Sequence, residues 1–235
     1  MAASRLPFHA PCVQIAGIRD EQEVRLLLEA EVDYLGFPFR LPVHAPDLSE
    51  ASAAELIRKT GIHARAVCIT YETTPEAIVG LCHTLGVAAV QLHAPMPLGA
   101  LQELRRLAPE LGILHSLVIG RDPLDQLAQQ LQRLAPFVDG FLTDTFDPTT
   151  GASGATGRIH DWQTSAAIVR AAPRPVILAG GLTADNVAAA IAAVRPAGVD
   201  AHTGVEDHAG RKDPDRVQAF VREARKGFAL LKTQD

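Results

Sequence analysis

The segment Pro175-Val176-Ile177-Leu178-Ala179-Gly180-Gly181-Leu182-Thr183-Ala184-Asp185-Asn186-Val187 runs through an alanine-rich stretch into Gly198-Val199-Asp200-Ala201-His202-Thr203-Gly204-Val205-Glu206. A short apolar run ends on a glycine pair, residues of helical period follow, and a second short run again ends on a glycine-containing loop. This is the strand–turn–helix–strand unit of a parallel sheet, because parallel neighbours need a long crossover rather than a hairpin. The same alternation extends outward along the chain. Apolar runs at 13–16, 33–37, 64–69, 88–92, 113–118, 140–143, 175–179 and 199–202 predict strands. Amphipathic stretches at 21–31, 52–60, 75–85, 98–107, 123–134, 163–172 and 184–194 predict the helices between them. Eight such units close a barrel with no exposed edge, whereas the alternative, a doubly wound open sheet, shows about five or six.

The expected fold is therefore α/β, a single parallel (β/α)8 TIM barrel over residues 1–235, with the barrel at about 12–222 and terminal extensions at 1–11 and 223–235. Thr74 before Pro75 and Asp122 before Pro123 read as helix caps. The apolar stretch 228–231 suits docking on the barrel or on a partner. A hydrophobic content of 47% against 21% charged residues suits a chain with a large buried core. The net charge of −5, with no stripe of Lys and Arg, argues against nucleic acid or anionic lipid as a partner. Cys12, Cys68 and Cys82 are too few and too scattered for a disulfide framework or a zinc knuckle. No membrane span or secretory signal is legible, so the expectation is a cytoplasmic protein, monomer or homodimer.

In such a barrel the chemistry sits at the carboxyl ends of the strands. Three late loops carry glycine there: Ser153-Gly154-Ala155-Thr156-Gly157, Ala179-Gly180-Gly181-Leu182 and Thr203-Gly204-Val205-Glu206. Glycine lets backbone N–H groups approach an anion closely, so neighbouring loops of this kind suit a phosphate, although any one of them also serves a tight turn. Gly154, Thr156, Gly157, Gly180, Gly181, Asp200, Thr203 and Gly204 are the candidate phosphate- and substrate-binding residues. Asp200 and His202 share strand parity and are expected to face inward together.

The strand-seven and strand-eight segments, with Gly210-Arg211-Lys212-Asp213 after the latter, resemble the motifs of the phosphoribosylanthranilate isomerase family of tryptophan biosynthesis. Thr156-Gly157-Arg158-Ile159-His160-Asp161-Trp162 resembles its phosphate loop, and Val90-Gln91-Leu92-His93 its fourth strand. The resemblance implies an Amadori rearrangement of a phosphorylated sugar derivative, without a cofactor, in which an aminoaldose becomes an aminoketose by general acid and base catalysis. By the resemblance Asp144, in Gly140-Phe141-Leu142-Thr143-Asp144-Thr145, is the acid. The family's base is the cysteine of a Lys-Ile-Cys-Gly-Ile-Thr motif, yet this chain reads Gln14-Ile15-Ala16-Gly17-Ile18-Arg19. Alanine accepts no proton, and Cys12 lies near the opposite end of the strand. The loop after strand two also lacks the family's Ser-Pro-Arg segment.

Histidines have accumulated instead: His44, His93, His115, His160 and His202 stand at or near strand ends. His44, His93 and His202 join Asp144 as candidate catalytic residues, with His202 or His44 in the role of the missing base. Two other readings stay open. His93, His115 and His202, with Asp144, are enough donors for a metal-assisted lyase or hydrolase. A chain that has shed its base could also be a non-catalytic binder of phosphorylated ligands. Cys68 near the end of strand three is a relocated base or, more simply, a buried apolar side chain.

Overall fold

The computed structural model describes residues 10–42, 46–120, 122–145 and 161–233. Eight strands close a parallel barrel in sequence order, with β8 hydrogen-bonded back to β1. They are β1 (Cys12–Ala16), β2 (Tyr34–Phe39), β3 (Ala66–Thr70), β4 (Ala89–Leu92), β5 (Gly112–Ile119), β6 (Gly140–Thr145), β7 (Val176–Leu178) and β8 (Gly198–Ala201). Between them run α1 (Glu21–Glu29), α2 (Glu50–Thr60), α3 (Pro75–Leu85), α4 (Leu98–Leu107), α5 (Leu124–Leu134), α6 (Trp162–Ala171) and α7 (Val187–Val194), and α8 (Pro214–Lys232) closes the ring.

Local chemistry explains the helix limits. Asp20, Ser49, Asp161 and Asp213 each accept a backbone N–H of the first turn of the helix they precede, satisfying donors that have no partner within the helix. Gly61 and Gly86 close α2 and α3 in the left-handed conformation, at φ 69° and 68°. Two of the expected caps differ. Thr74 stands at the cap position of α3 without a side-chain cap bond, while Glu72 Oε1 accepts from the amides of Thr73 and Thr74. Helix α5 begins one residue late, with Pro123 rather than Asp122 at its cap.

Strand alternation sorts the core into two regions. One parity packs outward beneath the helices, as with Val13 and Ile15, Val90 and Leu92, or Ile113 and Leu117. The other fills the lumen, where Cys12, Ala16, Tyr34, Val67, Ile69, Ala89, Leu114, Leu142, Ile177 and Ala179 form a separate apolar cluster. Polar residues of the same inward parity, among them Gln14, Gln91 and Asp200, are buried in the lumen as well. Residues 223–232, expected as an extension, are the second half of α8: Ala224, Gly227 and Phe228 are buried, and Gly227 lies against Ala188 and Ile191 of α7. The 228–231 stretch thus docks on the barrel through Phe228 and Leu231, leaving Leu230 exposed.

Candidate active site

The lumen beneath the mouth holds a run of polar side chains from four strands. Gln14 of β1 donates through Nε2 to Gln91 Oε1 of β4 at 2.7 Å, and Gln91 Nε2 lies 2.7 Å from His93 Nε2. His93 Nδ1 stands 2.9 Å from Asp144 Oδ2 of β6, at ion-pair distance but with the N–H out of line for a hydrogen bond. At the other end Gln14 faces Asp200, its register partner on β8, and its amide favours the charged form of that carboxyl. Gln14 and Gln91 are buried, and Asp144 and Asp200 nearly so.

Burial pushes the Asp200 carboxyl up to about 7. The Gln14 hydrogen bond, His93 and Lys212 oppose that rise, and the negative charge of Asp144 adds to it. Where the family motif carries lysine, this chain has neutral Gln14, so the position beside Asp200 on β1 supplies no positive charge. Tyr71, just past β3, stacks on the His93 ring with centroids 5.3 Å apart and planes 23° from parallel. Burial and the Asp144 charge raise its phenol to about 12, so it stays protonated.

At the rim, β8 leads into a short 3-10 turn (Thr203–Val205) preceded by His202. The His202 imidazole lies against Gly17, the residue after Ala16: a Cβ on Gly17 would come within 2.2 Å of His202 Nε2. His202 therefore occupies space beside the site of the family's cysteine. Its Nε2 is 3.3 Å from Glu206 Oε1, which also receives Lys212 Nζ at 2.6 Å. Burial alone would raise Glu206, but His202 and Lys212 outweigh it and hold the carboxyl below its usual range. The loops after β7 and β8 touch, since a Cβ on Gly204 would stand 1.9 Å from the Leu182 carbonyl oxygen. Gly180 and Gly181 adopt φ of 101° and 62°, a conformation open to glycine, and the Gly181 carbonyl accepts from Asn186 Nδ2.

The expected residues thus divide. Asp144 and His93 meet directly, and His202, Thr203, Gly204, Gly180 and Gly181 stand on adjoining loops. Asp200 lies below those loops, in the layer of Gln14. His115 is a correction: it sits inside β5 rather than at its end, on the outward parity of Ile113 and Leu117, with Nδ1 against the Ser116 carbonyl at 2.9 Å. It cannot join His93 and His202 on one ion, and among the described residues no group of three or more His, Cys, Asp or Glu could hold a metal. Cys68 likewise faces outward, and a hydrogen bond with Cys82, together with burial, drives its thiol well above the ordinary range. Cys12 lies in the lumen apolar cluster, raised to about 12 chiefly by burial. The arginine nearest the second loop, Arg40, is engaged by Glu50 and Glu72. His44, Gly154, Thr156, Gly157 and His160 lie outside the described residues.

Sequence reasoning missed Gln14, Gln91, Tyr71 and Lys212 as members of the site. Parity signalled the first two, since a polar residue inside an otherwise apolar strand must find a buried partner.

The family model of N-(5'-phosphoribosyl)anthranilate isomerase matches residues 13–223. The chain belongs to the phosphoribosylanthranilate isomerase family. It is 33% identical over 218 residues to N-(5'-phosphoribosyl)anthranilate isomerase 2 of Methanosarcina mazei, spanning 92% of this chain and 95% of that one. It is 36% identical over 215 residues to the enzyme of that name from Halobacterium salinarum, spanning 90% and 94%. Among solved structures, phosphoribosylanthranilate isomerase from Thermotoga maritima superposes with a TM-score of 0.77 at 27% identity, over 92% of this chain and 99% of that one. A thiamine phosphate pyrophosphorylase from Pyrococcus furiosus, at 18% identity and a TM-score of 0.64, shares the fold. Membership gives the departures at Gln14, Ala16 and His202 their meaning, because they fall at the lumen and rim where this family works.

Proposed function

We propose that the chain is an aldose–ketose isomerase acting on a phosphorylated ribosylamine of the phosphoribosylanthranilate type, with its base relocated from β1 to β8. Asp144 donates a proton to the sugar ring oxygen as the C1–O bond breaks, giving the open-chain iminium. His202 removes the proton from C2, and that electron pair becomes the C1=C2 bond of an enolamine, which tautomerises to the aminoketose. Glu206, 3.3 Å from Nε2, orients the imidazole, and Lys212 helps to keep Glu206 ionised in that role. The phosphate is held by backbone N–H groups of the loops carrying Gly180, Gly181, Thr203 and Gly204, with Gly154, Thr156 and Gly157 as the third contribution.

One observation carries this reading: the His202 ring stands over Gly17, the next residue in the chain after Ala16. The test is incubation of the purified protein with N-(5'-phosphoribosyl)anthranilate, following the ketose by NMR. Conversion by the wild type, lost on His202→Ala, is expected. Stabilisation by phosphorylated ligands without any turnover would overturn it in favour of a non-catalytic binder.

A further inference from the structure

The polar groups across the lumen form a sequence with a direction, and that direction is dictated at one end. Above pH 7 the Asp200 carboxyl is mostly ionised and only accepts hydrogen bonds, so it requires that Gln14 turn its amide NH2 toward β8. The same NH2 serves Gln91 Oε1 at 2.7 Å, which commits the Gln91 oxygen and leaves the Gln91 nitrogen toward His93. An amide nitrogen 2.7 Å from His93 Nε2 donates to it, so Nε2 carries a lone pair and the proton of the neutral ring resides on Nδ1. That nitrogen is the one 2.9 Å from Asp144.

We propose that Gln14 and Gln91 are positioning residues that hold the neutral His93 ring as its Nδ1–H tautomer beside Asp144, so that Asp200 on β8 sets which His93 nitrogen presents its proton to the acid on β6. His93 is then neither a base nor a metal ligand through Nε2. Its Nδ1 lies 2.9 Å from Asp144 Oδ2, off the line of a hydrogen bond, and acts on that carboxyl electrostatically, while Tyr71 stacks on the ring face. The role of Asp144 as acid rests on the proposed function, but the tautomer of His93 does not. Gln14 is the residue that makes the relay continuous: at this position the family motif has a lysine, which has no acceptor and no fixed fork.

The experiment is 15N NMR of the histidine side chains at pH 8 in the full-length protein, with His93 assigned by its absence in His93→Asn. The wild type is expected to show Nδ1 as a protonated ring nitrogen and Nε2 as an unprotonated one. In Gln91→Glu the new carboxylate accepts from both sides, and both His93 nitrogens should become protonated. In Gln91→Leu the single tautomer should give way to a mixture, with kcat falling by about 10- to 100-fold and KM nearly unchanged, the range typical of groups that orient a reacting residue. A wild-type His93 protonated at Nε2, or shifts unmoved in both Gln91 variants, would overturn the relay. The wild-type spectrum needs no variant to fold. Absence of turnover with the expected spectrum would count against the proposed function alone.

Discussion

Asp200→Asn tests the electrostatics of the lumen most directly. In the folded chain burial pushes this carboxyl from 3.8 to about 7, so between those values the folded state holds a proton that the unfolded chain has already lost. Stability from this group is therefore fully present below pH 3.8 and is lost as pH rises through 7. At about 1.4 kcal/mol per pH unit, the ionised and desolvated carboxylate costs up to about 4 kcal/mol at pH 8, an upper figure because the residue keeps 8% of its exposure. Asparagine has nearly the same shape, still accepts from Gln14 and does not ionise. The variant should thus gain on the wild type with rising pH, and for a chain of this size each kcal/mol moves Tm by about 2–4 °C. Thermal unfolding of both proteins at half-unit steps from pH 4.5 to 8.5 measures the difference, in which the other carboxylates cancel. A ΔTm that stays flat across that range, or in which the variant loses ground as pH rises, would refute the argument that Asp200 is buried without an adequate positive partner.

Gly204→Ala forces the loops after β7 and β8 apart, since its Cβ would meet the Leu182 carbonyl oxygen at 1.9 Å. A loss of about 1–3 kcal/mol is expected, and stabilisation of the protein by inorganic phosphate in a melting assay should fall with it. His202→Ala should lower kcat on N-(5'-phosphoribosyl)anthranilate by about 10²–10⁴ while leaving that phosphate stabilisation intact, and adding Ala16→Cys should restore part of the rate by returning a thiol to β1. Lys212→Met removes the fully buried ammonium that neutralises Glu206, and denaturant unfolding should show a loss of about 3–5 kcal/mol.

The eight strands were legible because each is short, apolar and bounded by turn residues, and because parallel strands buried on both faces need no partner to be recognised. Their limits shifted by a residue or two where hydrogen bonding, not hydropathy, decides the end: β5 runs from Gly112 to Ile119, and β7 keeps only Val176–Leu178. His115 was misjudged for a related reason. Proximity to a strand end suggested the mouth, but one step in register exchanges lumen for outer face, and β5 continues four residues beyond it.

By its resemblance to the family the chain shows Ala16 in place of a proton-accepting cysteine; by local pattern alone it determines the barrel and its glycine-bearing late loops. Those properties depend on residues a few positions apart. Tertiary structure alone decided that Gln14 lies opposite Asp200 and reaches Gln91, that His93 meets Asp144, and that His202 covers Gly17. Such contacts join residues from 51 to 186 positions apart, and they follow from how eight strands stagger when the sheet closes, a quantity set by the whole ring of hydrogen bonds rather than by any segment.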